Sequence, residues 1–453
     1  MKELQADTLT PISVFQAITG KNKVLFESSA KHEESGRYSF IAINPIASLY
    51  GDDQTATFTK NETQVQTFNQ PVLSVLKELI PQHEETLPFS FFGGAIGHFC
   101  YETAFHIEDI GIPLFDTRTI PDIHIYFYDT FIVFDHLYQS ATIATIDLWY
   151  EGRSMEEMDA AITQIELAIR ESNSYSSTND VQISFSPTME KDKFLQIVEQ
   201  AKEHITKGNI FQVVLSQSFE ADYKGSPFDL YRKLRTANPS PYMFYMDFDA
   251  YTILGTSPES LVKINGRYVT TNPIAGTKKR GRTREEDIII AEQLMNDPKE
   301  IAEHKMLVDL GRNDIGKISE VGSVHVKKYM QIERYKHVMH IVSEVTGKLR
   351  PEIDAIDVIA ACLPAGTVSG APKIRAMQII NELETTRRGI YAGAIGYLSA
   401  SGDMDLALAI RTMVIKDHKA YVQAGAGVVY DSIPENEYEE TLNKARALLE
   451  VQA

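Results

Sequence analysis

Through residues 1 to about 170, apolar positions alternate with polar ones in short runs rich in β-branched and aromatic side chains. VLFESS (24–29), YSFIAINPIASLYG (38–51) and IHIYFYDTFIVFD (123–135) carry this pattern, which predicts strands. The period then lengthens: SMEEMDAAITQIELAIRES (154–172) sets Met158, Ile162, Ile165 and Ile169 on one helical face. SNSYSSTND (172–180) has neither period, and its Ser/Asn-rich composition reads as a linker. The chain is therefore expected to divide into an N-terminal domain, 1–171, a linker, 172–186, and a C-terminal domain, 187–453.

The second half mixes both periods. A helix capped near Thr188 carries Phe194, Val198, Ala201 and Ile205, and a strand follows in NIFQVVLSQSFEADY (209–223). A helix over 227–239 leads to a strand pair, 242–264 and 267–276. Helices are predicted near 284–296 and 298–311, strands over 391–399 and 405–431, and a last helix at the C-terminus. Hairpin strands with clustered helices predict an α+β fold. GGAIGHFCYE (93–102) is echoed by AGAIGYLSAS (392–401), consistent with two related sheet elements or with chance in Gly-rich strand edges.

Two of the helices carry the first chemistry. Asp297 caps a helix that Pro298 starts, Ile301, Met306, Leu307 and Leu310 follow at helical spacing, and Gly311 is a natural terminator. Glu300 and Glu303, three residues apart, lie on one face of it. One such pair reads as a solvated face. A second pair, Glu437 and Glu440 in PENEYEETLNKARALL, changes the balance, because paired carboxylates on two helices suit a hard cation such as Mg²⁺.

Bulk properties narrow the class. At 453 residues, 43% hydrophobic and 23% charged, the chain has the size and composition of a globular enzyme of more than one ordinary core. A formal net charge of −18 argues against nucleic acid and anionic membrane as partners, though not against a small anionic substrate in a local cationic pocket. Two cysteines, Cys100 and Cys362, exclude a disulfide framework and suit a reducing cytoplasm. The N-terminus lacks a signal-peptide apolar run, and the apolar stretch 123–134 is too short to span a bilayer.

Three Gly-rich turns, PIAGT (273–277), LPAGTVSGAPK (363–373) and QAGAGVVYDS (423–432), offer backbone N–H groups to a small ligand, and none is a phosphate-binding motif. Arg411 stands inside an otherwise apolar strand, LALAIRTMVI, where a cation either pairs with a buried acid or clamps a carboxylate.

Several long motifs resemble the chorismate-utilising enzymes, and within them the anthranilate-forming branch. They are NPSPYMFY (238–245), TSPE (256–259), NPIAGT (272–277), EHKMLVDLGRND (303–314), PAGTVSGAPKIRAM (364–377), GAIGY (393–397), AIR (409–411), QAGAGVVYDS (423–432) and the spaced Glu437, Glu440, Thr441, Asn443, Lys444 and Ala445. The resemblance covers nearly the whole chain and implies a large fold of sandwiched antiparallel sheets with helices outside. It implies Mg²⁺ held by Glu303 and Glu440, with Glu300 and Glu437 on metal-bound waters, against the ring carboxylate of chorismate. Tyr391 and Arg411 would clamp the enolpyruvyl carboxylate, helped by the backbone of Gly425, Ala426 and Gly427. Gly276, Thr277 and Thr367 would line the same pocket, and Lys444 would add a cation.

The reaction so implied is attack of ammonia on ring carbon 2, departure of the carbon 4 hydroxyl, and loss of pyruvate to leave anthranilate, on the way to tryptophan. Glu259 in TSPE matches the general acid, and His340 the histidine linked to pyruvate elimination. Aminodeoxychorismate-forming relatives of the folate pathway carry a lysine where this chain has Ala275, and isochorismate-forming relatives have a lysine where it has Gln212. Both differences favour anthranilate. No glutamine amidotransferase segment is present, so the resemblance implies ammonia from a separate glutaminase subunit.

The N-terminal half resembles the tryptophan-binding region responsible for feedback inhibition. Glu27 and Ser28 match its polar pair, Phe26 departs from the usual leucine, and Pro241, Tyr242 and Met243 match the opposite wall. Lys278 and Lys279 depart from a usual proline before Arg280-Gly281. The alternatives are the aminodeoxychorismate-forming activity and a catalytically inactive tryptophan-sensing subunit.

Overall fold

In the computed structural model, residues 1–28, 36–84, 89–116, 118–171, 183–335 and 338–451 are described. Most of the predicted linker therefore lies outside the described residues. The fold is α+β: among the described residues, two antiparallel sheets of 12 strands each lie face to face, with helices on the outside. No described helix is long and apolar enough to cross a membrane.

Both sheets draw strands from both halves of the chain. In the first, Ser140–Thr145, Thr130–Asp135, Tyr38–Ala42 and Val24–Glu27 lead through Tyr242–Asp247 to Tyr251–Ser257, Thr412–Lys416, Lys419–Val428 and Gln212–Asp222. In the second, Ala47–Gly51, Ile123–Tyr128 and Gly94–Phe99 lead through Ala394–Ser399 to Met404–Leu408, Ser260–Asn265, Tyr268–Thr271 and Val338–Lys348. The two GAIG-containing segments are adjacent strands, paired with Gly97 opposite Gly396.

Several continuous apolar runs change sheets midway. The run over 123–135 turns at Asp129, and the run over 38–51 turns between Ala42 and Ala47, so each gives one strand to each sheet. The run over 405–416 reads from the sequence as one strand enclosing Arg411. It is two, Met404–Leu408 and Thr412–Lys416 in opposite sheets, and Arg411 sits in the connection with a left-handed φ of 52°. A left-handed non-glycine residue cannot continue a strand, which is why the hydrophobic run alone misplaces it.

Period-2 alternation sorts side chains between two layers. Phe40, Phe131, Phe244, Met246 and Val414 of the first sheet meet Ile96, Tyr126, Tyr128, Ile395 and Tyr397 of the second. On the outer face of the first sheet, Leu25, Tyr245 and Leu254 pack under Pro11–Ala17, Met155–Arg170, Pro227–Ala237 and Pro434–Leu449.

Helix boundaries follow the expected chemistry with two corrections. Asp297 accepts from the amides of Lys299 and Glu300, and Ser154 with Glu157 forms a capping box. The helix at Pro298 does not stop at Gly311 but runs to Gly316. A Cβ at Gly311 would come within 3.2 Å of Thr271 Cγ2 and 3.4 Å of Pro273, so that glycine serves close packing on the second sheet, not termination. Thr188 is not a cap; its amide and hydroxyl bond Ser218 O, and the helix begins at Lys191.

Phe244 is fully buried between the sheets, with its ring against Gly255. Phe244→Ala should destabilise the protein by about 3–5 kcal/mol, read as a lower unfolding midpoint in urea.

Candidate active site

The site forms where chain connections pass between the sheets. Ser257 ends a strand of the first sheet and Ser260 begins one of the second, so Pro258 and Glu259 make that connection. Arg411 lies in the return connection. The two are tied together: Leu408 N donates to Glu259 O at 3.0 Å, Ser257 Oγ to Leu408 O at 2.7 Å, and Thr256 N to Arg411 O at 3.1 Å.

Glu259 is the most altered acid of this group. Burial pushes its carboxyl up to about 7, and the Thr367 hydroxyl and the Lys444 cation pull the other way. Thr367 stands in the short turn Gly366–Val368 and donates to Glu259 Oε1 at 2.7 Å. A small cavity beside Glu259 is bordered by Asn272, Gly311, Asp314 and Thr367. At neutral pH Glu259 is poised to hold or release a proton, which is what a general acid requires.

His340 faces Thr277 across two paired strands. The ladder is interrupted between Ala275 and Thr277, where Gly276 takes φ 63° as the extra residue of a bulge. His340 Nδ1 lies 3.2 Å from Gly276 O and 3.0 Å from Thr277 Oγ1. A carbonyl only accepts, so Nδ1 carries the proton and Nε2 is the basic nitrogen. Burial, with a smaller contribution from the Arg411 cation, pushes the imidazole down to about 4. The ring is neutral at physiological pH and able to take a proton.

Arg411 has no ion-pair partner among the described residues, and burial lowers its pKa. A desolvated guanidinium without a carboxylate attracts an anion strongly. Tyr391 is buried nearby along the chain fold: Ala392 N donates to Ala409 O and Ala409 N to Gly393 O. The Tyr391 hydroxyl sits where a Cβ on Gly425 would come within 2.6 Å, so the Gly425–Gly427 strand gives the ring room that a larger residue would deny. Lys444 Nζ donates to Gly425 O at 3.0 Å and pairs with Glu440 Oε1 at 2.7 Å. Gln212 Nε2 lies against Gly427, where a Cβ would meet it at 2.6 Å, and Ala275 is buried.

The two carboxylate pairs share a neighbouring cation, Lys299. Glu300 Oε2 lies 3.2 Å from the Cβ position of Gly276, and Lys299 acts electrostatically on Glu437. Burial raises the Glu300 carboxyl and the neighbouring Glu303 and Asp297 raise it further. Burial likewise raises Glu437, with Glu440 adding to it. Carboxylates raised by one another call for a cation. No group of three or more potential ligands is drawn together among the described residues. Mg²⁺ takes one or two carboxylates and completes its shell with water and substrate oxygens, and paired carboxylates are the donor type it requires.

A second cavity, of about 530 Å³, lies between the sheets. Phe26, Ser28, Tyr242, Met243 and Phe244 border it, as do Lys263, Asp405 and Tyr397. Ser28 Oγ donates to Pro241 O at 2.6 Å, and Tyr242 donates to Asp405 Oδ1 at 3.1 Å. Glu27 borders the cavity as well, with its carboxylate already engaged. Its carboxylate accepts from Tyr231 at 2.7 Å and is gripped by Arg235 at 2.7 and 2.8 Å, fastening the strand to the helix outside it. Sequence reasoning missed Lys263 and Asp405, a charged pair at 3.3 Å on apolar strands, although a charge within SLVKIN and MDLAL is itself a signal.

Comparison with known proteins gives the family. The sequence pattern of one family, described as chorismate binding enzyme, matches residues 21–450. Anthranilate synthase component 1 of Lactococcus lactis subsp. lactis (strain IL1403) is 49% identical over 100% of this chain and 99% of its own length. Anthranilate synthase component 1 of Aquifex aeolicus (strain VF5) is 44% identical over 99% of this chain and 93% of its own. The crystal structure of anthranilate synthase component I from Streptococcus pneumoniae TIGR4 superposes with a TM-score of 0.86 at 44% identity, covering 99% of each chain.

Gly266 and Gly276 share a left-handed backbone, but only Gly276 is crowded, by Leu294, Glu300 and Ile341. Gly266→Ala should cost about 1–2 kcal/mol for the backbone alone. Gly276→Ala should cost measurably more in the same unfolding experiment.

Proposed function

The chain belongs to the chorismate binding enzymes, and from that premise we propose that it is component I of an anthranilate synthase. In this reading it is a lyase subunit that aminates chorismate with ammonia and releases pyruvate. The observation that carries the reading is the combination of a buried acid near neutrality, Glu259 on Thr367, and a half-buried guanidinium, Arg411, that has no ion-pair partner among the described residues.

Chorismate brings two carboxylates. Arg411 and the Tyr391 hydroxyl bind the enolpyruvyl carboxylate, with the amides of Gly425, Ala426 and Gly427 beside them. Glu303 and Glu440, supported by Glu300 and Glu437, would hold Mg²⁺, which when bound supplies positive charge to the ring carboxylate and to the electron density gathered there. Gly276 and Thr277 border the ring, and Lys444 adds a cation near Glu440. As ammonia bonds to carbon 2, Glu259 gives its proton to the carbon 4 hydroxyl, which leaves as water. His340 Nε2 then takes the carbon 2 proton while the ether bond to the enolpyruvyl group breaks, and the ring becomes aromatic.

Ala275 and Gln212 support ammonia over other nucleophiles, because neither supplies an amine nor deprotonates water. Ammonia comes from a separate glutaminase subunit, the component II that the numbering of the relatives implies. The inter-sheet cavity is read as a tryptophan site. Ser28 accepts from the ligand ammonium, Tyr242 and Met243 form one wall with Phe26, and the Lys263–Asp405 pair suits a zwitterion; Pro241 does not border the cavity but holds the Ser28 hydroxyl through its carbonyl. Glu27 borders the site, with its carboxylate held by Tyr231 and Arg235. The N-terminal segment, 1–171, supplies the regulatory half of that cavity and 187–453 the catalytic machinery.

The purified chain, given chorismate, Mg²⁺ and ammonium, should produce anthranilate fluorescence that EDTA abolishes and tryptophan suppresses. Chorismate consumed without fluorescence would instead indicate aminodeoxychorismate formation. At fixed free ammonia, the raised Glu259 pKa keeps the acid protonated up to about pH 7, so kcat/KM should fall above that pH. Glu259→Gln should lower kcat by about 10²–10⁴.

Ser28→Ala should raise the tryptophan concentration for half inhibition by about 2- to 10-fold and leave uninhibited turnover unchanged. Equal inhibition of variant and wild type would remove Ser28 from the site.

A further inference from the structure

Behind the site lies a buried guanidinium that the proposed chemistry does not use. Arg388, in the connection between Lys373–Leu383 and Ala394–Ser399, has its side chain 1% exposed. Its charge is met by Glu384, which accepts from Nε at 3.0 Å and from Nη2 at 2.7 Å. The remaining donors do something an ion pair alone does not need. Nη1 donates to Val368 O and Nη2 to Val214 O, each at 2.7 Å.

Those two carbonyls belong to different walls of the site. Val368 directly follows Thr367, whose hydroxyl rests on Glu259. Val214 lies opposite Gly427, and Ser216, whose amide and hydroxyl donate to Glu384, lies opposite Gly425. The guanidinium also stands 4.7 Å from the ring centre of Tyr101 and 5.6 Å from that of Tyr391. The backbone of Arg388 is fixed in turn, since the amides of Arg388 and Gly389 donate to the buried Glu102 at 2.9 and 3.0 Å. A buried ion pair is weak evidence for stability, because apolar residues of like volume often do as well. A planar fork that bridges two carbonyls is another matter, since only guanidinium presents donors in that fixed geometry.

We propose that Arg388 is a positioning residue for the reaction: through Val368 it holds the Thr367 hydroxyl on Glu259, and through its face it sets the Tyr391 ring. This rests on the anthranilate-forming reading of the same site. Lysine keeps the charge but cannot bridge both carbonyls. Without the Thr367 bond the Glu259 carboxylate loses a stabilising donor, so the acid holds its proton to higher pH and the alkaline limb of the rate profile moves upward.

The test uses the full chain in the ammonium-dependent assay, with wild type, Arg388→Lys, Thr367→Val and the double variant. Arg388→Lys should lower kcat by about 10- to 100-fold and move the alkaline limb in the same direction as Thr367→Val. The double variant should move it no further than Thr367→Val alone. Half inhibition by tryptophan should stay at the wild-type value, which a general loosening of the fold would not allow. If Arg388→Lys does not fold, Glu384→Gln, of the same shape, loosens the fork more gently and should shift the limb the same way. Active Arg388→Lys or Glu384→Gln enzyme with the wild-type limb, or effects that simply multiply in the double variant, overturns the role of Arg388 alone. A wild type that forms no anthranilate overturns both readings.

Discussion

The pair of bonds joining Glu259 O to Leu408 N and Ser257 Oγ to Leu408 O is the constraint on which the site depends. Two connections cross between the sheets at that point in opposite directions, and their backbones satisfy each other where neither ladder can. A buried backbone group without a partner is costly, so the crossings are forced to lie together. Glu259 rides on one crossing and Arg411 on the other. An acid and a cation are thereby carried on neighbouring backbone without forming an ion pair, and each remains available to something else.

Burial then sets the chemistry of each group in opposite senses. The low dielectric between the sheets penalises whichever form is charged. It raises Glu259 to about 7 and lowers His340 to about 4, so the acid keeps its proton and the base lacks one at the same pH. Hydrogen bonds refine the result: Thr367 moderates the acid, and Gly276 O selects the tautomer of the base. Where charge is not used it is neutralised nearby, as with Glu27 on Arg235 and Arg388 on Glu384. The groups without an ion pair among the described residues, Arg411 and the Glu300 and Glu437 carboxylates, are those the proposed substrate and cation would satisfy.

Local pattern carried the elements whose causes are local. Asp297 and Pro298 announced a helix start, and the 3.6 period of 155–170 announced a buried face. It did not carry the sheet pairing. Val24–Glu27 meets Tyr242–Asp247, and Gly94–Phe99 meets Ala394–Ser399, across hundreds of residues of chain. A period of 2 says which residues share a face but not which strand lies alongside. The same limit explains Arg411 and Gly311. An apolar run that crosses between sheets looks like one long strand, and a glycine needed for close approach looks like a helix stop. The carboxylate pairs were visible from spacing alone, whereas the roles of Glu259 and His340 depended on family motifs. Nothing local distinguishes Arg388 from its exposed kin, because its burial is decided by strands more than a hundred residues away.

The geometry also limits how an occupant of the inter-sheet cavity can act on turnover. A ligand shifts an equilibrium only by the difference in its affinity for two states. The cavity and the acid share two strands. Lys263 and Asp405, which border the cavity, are cross-strand partners, and the same pair of strands brings Ser260 opposite Ala407 one step from Glu259 and Leu408. A small slide or twist of that strand pair alters the cavity wall and the Glu259–Leu408 bond together. Because packed sheets have discrete arrangements and do not deform continuously, an occupant that prefers one position of these strands would withdraw the acid from its place. By linkage, chorismate bound against Glu259 would in turn weaken the occupant.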